Sequence, residues 1–510
     1  MKLRFLALLF SSLIAIATLG QDVKPADKPA EKPPDKPDPI PASFVRKHSI
    51  KIGNADFAYT TTAEEIYLKD GDGKSTASFF TIYYTKDGVT SQESRPLTFV
   101  FNGGPGSASM FLHLGVVGPR LIDIPSDATD PGAPPYKLRD NPATILRATD
   151  LVFVDPVGTG YSHAMGEKKG EDFWGYDEDA DSVAEFIRTF ITHHNRWNSP
   201  KYILGESYGG IRTSLLIPRL QGNLNVGLNG AILISPALNM ATLPFIPEGN
   251  DQMYATSLPA FAATAWYHKR VPDQNQYKDL DTFLREVEQF AGTDYLQALF
   301  QGDRVDAATK DRIAEKMHRY LGISKEYIVR AHLRVGAFRF AKELMRDQGK
   351  TLGMLDGRYI QSELDNITDT PNSDPFEAKT GPIYATVFQS YIRNELGVDL
   401  DKRYIPSNGE ANRKWKRPAN RRGAFAGFVD VTDDLAQGTK DNEALRVFAA
   451  GGYNDLVTSY FALRYMLDHS GIDANRITMK DYPGGHMMYL HRESGEALSN
   501  DLVAFIEGAK

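Results

Sequence analysis

No cysteine occurs among the 510 residues, and that absence excludes disulfides, thiolate metal sites and a cysteine nucleophile together. An excess of basic residues is also missing. Lys and Arg number 58 against 65 Asp and Glu, a net charge of -7, which offers no cationic field to nucleic acid or anionic lipid and argues against both as partners. There is no H-E-x-x-H or comparable cluster of metal ligands, which disfavours a metal-dependent hydrolase; no metal or other cofactor is expected. The glycine-rich string Gly103-Gly104-Pro105-Gly106 lacks both the G-x-G-x-x-G spacing and the lysine of a phosphate-binding loop. No long internal repeat is present, which disfavours solenoids and propellers.

An apolar run long enough to span a bilayer is lacking as well. The run at 5–19 falls short of the roughly 20 residues a spanning helix needs. Behind the basic start Met1-Lys2-Leu3-Arg4 and before the small residues ending at Gly20, it predicts a secretory signal peptide, residues 1–20. Cleavage near Gly20 would export the protein to the periplasm or the extracellular space, with no stable membrane insertion after processing. Residues 21–42 follow as a Pro/Lys/Asp-rich linker with almost nothing apolar to bury.

What remains has the composition of a globular protein, 42% hydrophobic and 24% charged, sufficient for a sizeable core. Short β-rich segments punctuated by Gly53-Asn54 and Asp70-Gly71-Asp72-Gly73 predict antiparallel hairpins at one edge of a sheet. Further on, the runs Leu97-Thr98-Phe99-Val100-Phe101, Leu151-Val152-Phe153-Val154, Tyr202-Ile203-Leu204, Ala231-Ile232-Leu233-Ile234, Val447-Phe448-Ala449-Ala450 and Ile477-Thr478-Met479 are unbroken apolar strands. Helical patterns lie between them, such as Val183, Phe186, Ile187, Phe190 and Ile191 at i, i+3, i+4, i+7 and i+8. This alternation predicts an α/β fold with a mostly parallel central sheet flanked by helices. Residues 240–438 break the rhythm with helical segments at 282–300 and 307–321. They are expected to form a largely helical cap inserted into a core made of 43–239 and 439–510.

The chemistry centres on Gly205-Glu206-Ser207-Tyr208-Gly209, a G-x-S-x-G placed between an apolar strand and a helix. Glycines on both sides allow the sharp strand-to-helix turn that exposes a serine hydroxyl, so Ser207 is the candidate nucleophile. In this architecture its partners follow in the order acid, then histidine. Asp455 in Gly451-Gly452-Tyr453-Asn454-Asp455 and His486 in Pro483-Gly484-Gly485-His486 both stand just past strand ends. His486 would take the proton of Ser207, Asp455 would orient the imidazole, and the backbone amides of Gly104 and Tyr208 would hold the oxyanion. Of the other histidines, His193 and His194 suit the end of a helix, His113 is a weaker competitor, and His491 lacks a metal-pair spacing to His486. Asp177, Glu178, Asp179 and Asp181 open a helix and suit its dipole.

With these residues in place the chain resembles the serine carboxypeptidases, secreted enzymes of the α/β-hydrolase fold. The resemblance is carried by Asn102-Gly103-Gly104-Pro105-Gly106, Val157-Gly158-Thr159-Gly160-Tyr161-Ser162, Gly205-Glu206-Ser207-Tyr208-Gly209-Gly210 and Gly485-His486-Met487, in that order. It implies peptide substrates with a free C-terminus, a triad of Ser207, Asp455 and His486, an oxyanion hole from Gly104 and Tyr208, and Asn102 and Glu206 as holders of the substrate's terminal carboxylate. The chain departs from the family in having Ser107, Val100 and Val116 where relatives have a cysteine, a tryptophan and an acid. The latter two help bind the terminal carboxylate in relatives. An esterase or acyltransferase using the same triad is the alternative reading, and a non-catalytic peptide-binding relative is a third.

Overall fold

The computed structural model describes residues 38–244, 250–417 and 428–508. The expected signal peptide and residues 21–37 of the linker lie outside them. Contacts cluster into a unit spanning Pro41–Lys510.

Its first two strands, β1 (Ser43–Ile52) and β2 (Ala55–Lys69), are joined by Gly53-Asn54 and pair antiparallel from Ile52 against Ala55. Gly53 has a φ of 60°, the left-handed value a two-residue hairpin turn requires. The Asp70 side chain accepts from the amides of Asp72 and Lys74, closing the next turn into β3 (Ser75–Lys86). The predicted hairpins are therefore present, built from longer strands than the apolar patches alone suggest.

β4 (Leu97–Phe101), β5 (Asp150–Val154), β6 (Lys201–Glu206), β7 (Gly230–Ile234), β8 (Arg446–Gly452) and β9 (Ile477–Tyr482) complete the main path of the sheet. The order is β1-β2-β3-β5-β4-β6-β7-β8-β9, antiparallel as far as β5 and parallel from there on. Every residue of β4 to β7 is buried. Alternate side chains enter opposite layers: Val100, Phe153, Leu204 and Ile232 join one apolar cluster, while Phe99, Val152, Ile203 and Leu233 join another. Unbroken apolar runs are what a strand needs when both of its faces are covered.

Helix α1 (Tyr176–His193) and helix α2 (Tyr208–Pro218) contribute to the second layer. The stretch between β7 and β8 is shared among three apolar clusters. Helices α3 (Asp251–Tyr267), α4 (Leu280–Phe290) and α5 (Ala307–Leu321) build a third cluster together with residues up to Met354. Helix α6 (Pro375–Asn394) instead inserts Ile383, Tyr384, Val387, Phe388 and Tyr391 into the first sheet layer. Residue 438, the end expected for the insertion, falls inside α7 (Thr432–Asp441), whose Leu435 and Ala436 belong to the second layer. A pattern of helical periodicity does not reveal which layer a helix packs on, so the sequence presents these segments as one block.

Candidate active site

Ser207 stands between β6 and α2 with φ 61° and ψ −122°, a strained backbone for a residue with a side chain. Its amide donates to the carbonyl of Ile234 on β7. The glycine before the serine is required by close approach. A Cβ at Gly205 would lie 2.1 Å from the carbonyl oxygen of Gly209. The loop after β4 presses onto the same turn, since a Cβ at Gly103 would lie 2.5 Å from Tyr208 N and 2.7 Å from Ser207 Cβ. Gly104, with φ 105°, and Tyr208 are thereby brought to the same cavity wall as Ser207.

His486 and Asp455 arrive from the ends of β9 and β8. His486 Nδ1 lies 2.7 Å from Asp455 Oδ2, and both residues are buried. Asp455 is held in turn by the amides of Val457 and Thr458, donating to Oδ1 at 2.8 and 2.9 Å, and by the Thr458 hydroxyl, donating to Oδ2 at 2.6 Å. The same hydroxyl is 3.0 Å from His486 Nδ1. Burial by itself lowers the imidazole pKa; the charge and hydrogen bond of Asp455, helped by Glu206, outweigh it and raise the pKa above its ordinary value. Ser207 and His486 line one cavity of about 890 Å³. Among the described residues no hydrogen bond closes between them, as is common for catalytic pairs without substrate.

Asn102 and Glu206 line this cavity too. Asn102 Nδ2 donates to Glu206 Oε1 at 2.8 Å, and Asn102 Oδ1 accepts from the amide of Leu112 at 3.1 Å. An amide nitrogen carries two hydrogens, so one remains for another acceptor. Glu206 is buried, and its pKa is raised to about 7, chiefly by burial, against the opposing influence of His486 and of the Tyr489 and Asn102 donors. Its second carboxyl oxygen accepts from the Tyr489 hydroxyl at 2.6 Å. Among the described lining residues the carboxylic acids are Glu206, Asp374 and Glu377 and the one histidine is His486, with no lysine or arginine.

All seven residues expected from the sequence thus gather at one site, Asp455 directly behind His486 and the other six in the cavity wall. His113 is elsewhere: it is fully buried, stacked 3.9 Å from Phe153, and bonded through Nε2 to the Tyr84 hydroxyl at 2.6 Å. His491 bonds to Ser494. Asp177, Glu178 and Asp179 do lie in the first turn of α1, where they suit its dipole, and the acidic start also makes ion pairs. Asp179 forms a buried ion pair with Arg212, while Asp177 and Asp181 pair with Arg219. One possible cation-binding group escaped the sequence reading: ligand atoms of Glu64, His193 and His194 lie within 4.8 Å of one another. It lies outside the cavity lining, and a 2.6 Å contact between His194 Nε2 and Glu64 already joins two of its members.

Thr458 and Tyr489 also escaped the sequence reading. Thr458 had a signal, because the spacing Asp455-x-x-Thr458 is that of a carboxylate accepting from the turn it begins. Tyr489 had none.

A family model described as serine carboxypeptidase matches residues 56–474. Pheromone-processing carboxypeptidase KEX1 of Yarrowia lipolytica is 32% identical over 145 residues, 27% of this chain and 21% of that protein. Serine carboxypeptidase-like 8 of Arabidopsis thaliana is 25% identical over 182 residues, 34% of this chain and 40% of that protein. The chain therefore spans about a fifth of the KEX1 length and two fifths of the plant protein. The crystal structure of Kex1(delta)p, a prohormone-processing carboxypeptidase from Saccharomyces cerevisiae, matches with a TM-score of 0.56 at 15% identity, covering 88% of this chain and 91% of that one. The likeness is one of fold.

Proposed function

Because the chain belongs to the serine carboxypeptidase family, we propose that it releases C-terminal residues from peptides through Ser207, His486 and Asp455. In this reading Ser207 Oγ attacks the last peptide carbonyl while His486 Nε2 takes its proton. Asp455 keeps the other ring nitrogen protonated and stabilises the imidazolium. The amides of Gly104 and Tyr208 receive the oxyanion. His486 then protonates the leaving amine, the terminal amino acid departs, and water, deprotonated by the same imidazole, cleaves the acyl-enzyme.

The observation that carries the reading is the pairing of Asn102 with a buried Glu206 beside Ser207 in a cavity whose described lining holds no lysine or arginine. Among the described lining residues, Asn102 and Glu206 can receive a substrate carboxylate as neutral donors. The free hydrogen of Asn102 Nδ2 and a protonated Glu206 supply two. Such a pair has no purpose for an ester without a free carboxylate. Ester or acyl transfer by the same triad is the second reading; it is favoured by Val100 and Val116, since the first is fully buried and neither offers a polar group to a carboxylate.

Incubation with one peptide as free acid and as C-terminal amide, followed by mass spectrometry, decides between them. Stepwise loss of residues from the free acid at a much higher rate supports the carboxypeptidase. Equal rates on both, or activity on esters alone, supports the esterase. Export with cleavage near Gly20 is part of the proposal. A native protein whose N-terminal sequence starts at Met1 in a membrane fraction would contradict it; among the described residues no helix is long and apolar enough to cross a membrane.

A further inference from the structure

Glu206 closes β6, and both of its carboxyl oxygens are occupied: Oε1 by Asn102 Nδ2 and Oε2 by the Tyr489 hydroxyl. Tyr489 reaches it from the turn that follows His486, and the room for its ring exists because residue 115 is glycine. A Cβ there would lie 2.4 Å from Tyr489 Cε2 and 2.7 Å from the Tyr384 hydroxyl. Gly115 is not among the residues with positive φ, so its backbone tolerates alanine and only the two tyrosines exclude it. Tyr384, projecting from α6, is fully buried, and among the described residues its hydroxyl has no hydrogen-bond partner. Tyr489 is buried as well, and neither tyrosine is in the cavity lining. They stand behind Glu206, away from the space a substrate would enter.

We propose that Tyr489, seated against Gly115, is a positioning residue for recognition of the terminal carboxylate, holding the Glu206 carboxyl by Oε2 in the orientation that serves the substrate. The assignment rests on Glu206 receiving that carboxylate. A phenol donates more strongly to an ionised carboxylate than to a neutral carboxyl, so Tyr489 also opposes the effect of burial on the Glu206 proton. The other groups acting on Glu206 are Asn102 from the loop after β4, His486 from the loop after β9, Asp455 from the loop after β8 and Tyr384 from α6. Of these, the His486 charge and the Asn102 donor favour ionisation and Asp455 opposes it. Tyr489 is the donor on Oε2.

The test is the pH dependence of kcat/KM on a free-acid peptide and a matched small ester, for the wild type, Tyr489→Phe and Gly115→Ala. Tyr489→Phe keeps the ring that fills the space over Gly115 and removes only the hydroxyl. Gly115→Ala leaves the chemistry of every side chain bonded to Glu206 unchanged and displaces the Tyr489 ring, and with it the hydroxyl on Oε2. In both variants the alkaline limb seen with the free acid should move up by about 0.5–1 pH unit. The free acid should lose more than the ester, mainly through KM. A limb present in the wild type and unmoved in Tyr489→Phe overturns this assignment alone. An equal loss on acid and ester also overturns it, since Tyr489 would then be packing for the whole site. If the wild type shows no limb specific to the free acid, the role of Glu206 itself fails, and this inference with it.

Discussion

Arg212 on α2 and Asp179 on α1 form a buried ion pair beneath the candidate nucleophile, with Arg212 Nε 2.7 Å from Asp179 Oδ2. The same guanidinium donates from Nη1 to the backbone carbonyl of Asn102 at 2.8 Å. It therefore ties the helix that follows Ser207 to the loop carrying Asn102 and Gly104. Replacing Asp179 with alanine leaves a buried guanidinium without its partner, which should lower stability by about 3–5 kcal/mol. Urea denaturation measures that cost. The variant that remains folded should also show a lower kcat/KM, because the Asn102 loop loses part of its anchor.

Asp455→Asn should preserve the fold while reducing kcat by about 10⁴-fold. An amide can accept from Thr458 and Val457 as the carboxylate does, but it no longer stabilises the imidazolium or enforces the Nδ1-protonated tautomer. Steady-state kinetics beside a far-UV spectrum checks both halves. An activity within tenfold of wild type would remove Asp455 from the mechanism.

Gly103→Ala tests the contact between the two loops. Its Cβ would meet Tyr208 N at 2.5 Å and the carbonyl of Glu206 at 2.7 Å, so the oxyanion amides must separate from Ser207. A displacement of about 1 Å at a reacting centre can cost about 10²-fold. The loss should fall on kcat for peptide and ester alike, since both need the oxyanion hole.

pH should act on this site in two ways. His486 must be neutral to accept a proton, and its raised pKa removes activity on the acid side. Glu206 must be protonated to receive a carboxylate, so activity on free-acid peptides should fall as pH rises through about 7. A narrow bell is expected for free acids, and an amide or ester should lack its alkaline limb.

Stability carries the same signature. The folded protein binds the Glu206 proton more tightly than the unfolded chain, whose ordinary value is 4.5. The folded state therefore loses stability as pH rises from there through about 7, by about 3 kcal/mol in all. Below 4.5 this penalty is absent. Glu206→Gln should remove that segment of the pH dependence and melt higher than wild type at pH 8, which thermal scans at pH 5 and 8 will show.

The parts of this site legible in the sequence are those with local signals. Strand runs buried on both faces, a serine between glycines, and Asp455 and His486 just past strand ends can each be read from a few neighbouring residues. Asp179 reads as a helix-dipole residue and does stand in the first turn of α1, but nothing near it in sequence announces its pairing with Arg212. Tyr384 and Tyr489 converge on Gly115 from α6 and from the turn after His486, and no periodicity encodes that meeting. The segments between β7 and β8 show the same limit. Their helices are visible from spacing, but whether an apolar stripe packs on the sheet, as in α6, or among other helices, as in α3 to α5, depends on surfaces elsewhere in the chain.

The central claim, that Ser207 is the nucleophile, is tested most directly by reaction with an organophosphonate serine probe and peptide mapping of the product. A single adduct on Ser207, formed together with complete loss of peptidase activity and absent from Ser207→Ala, is the predicted result. An adduct on another residue, or Ser207→Ala retaining peptidase activity, would contradict the account.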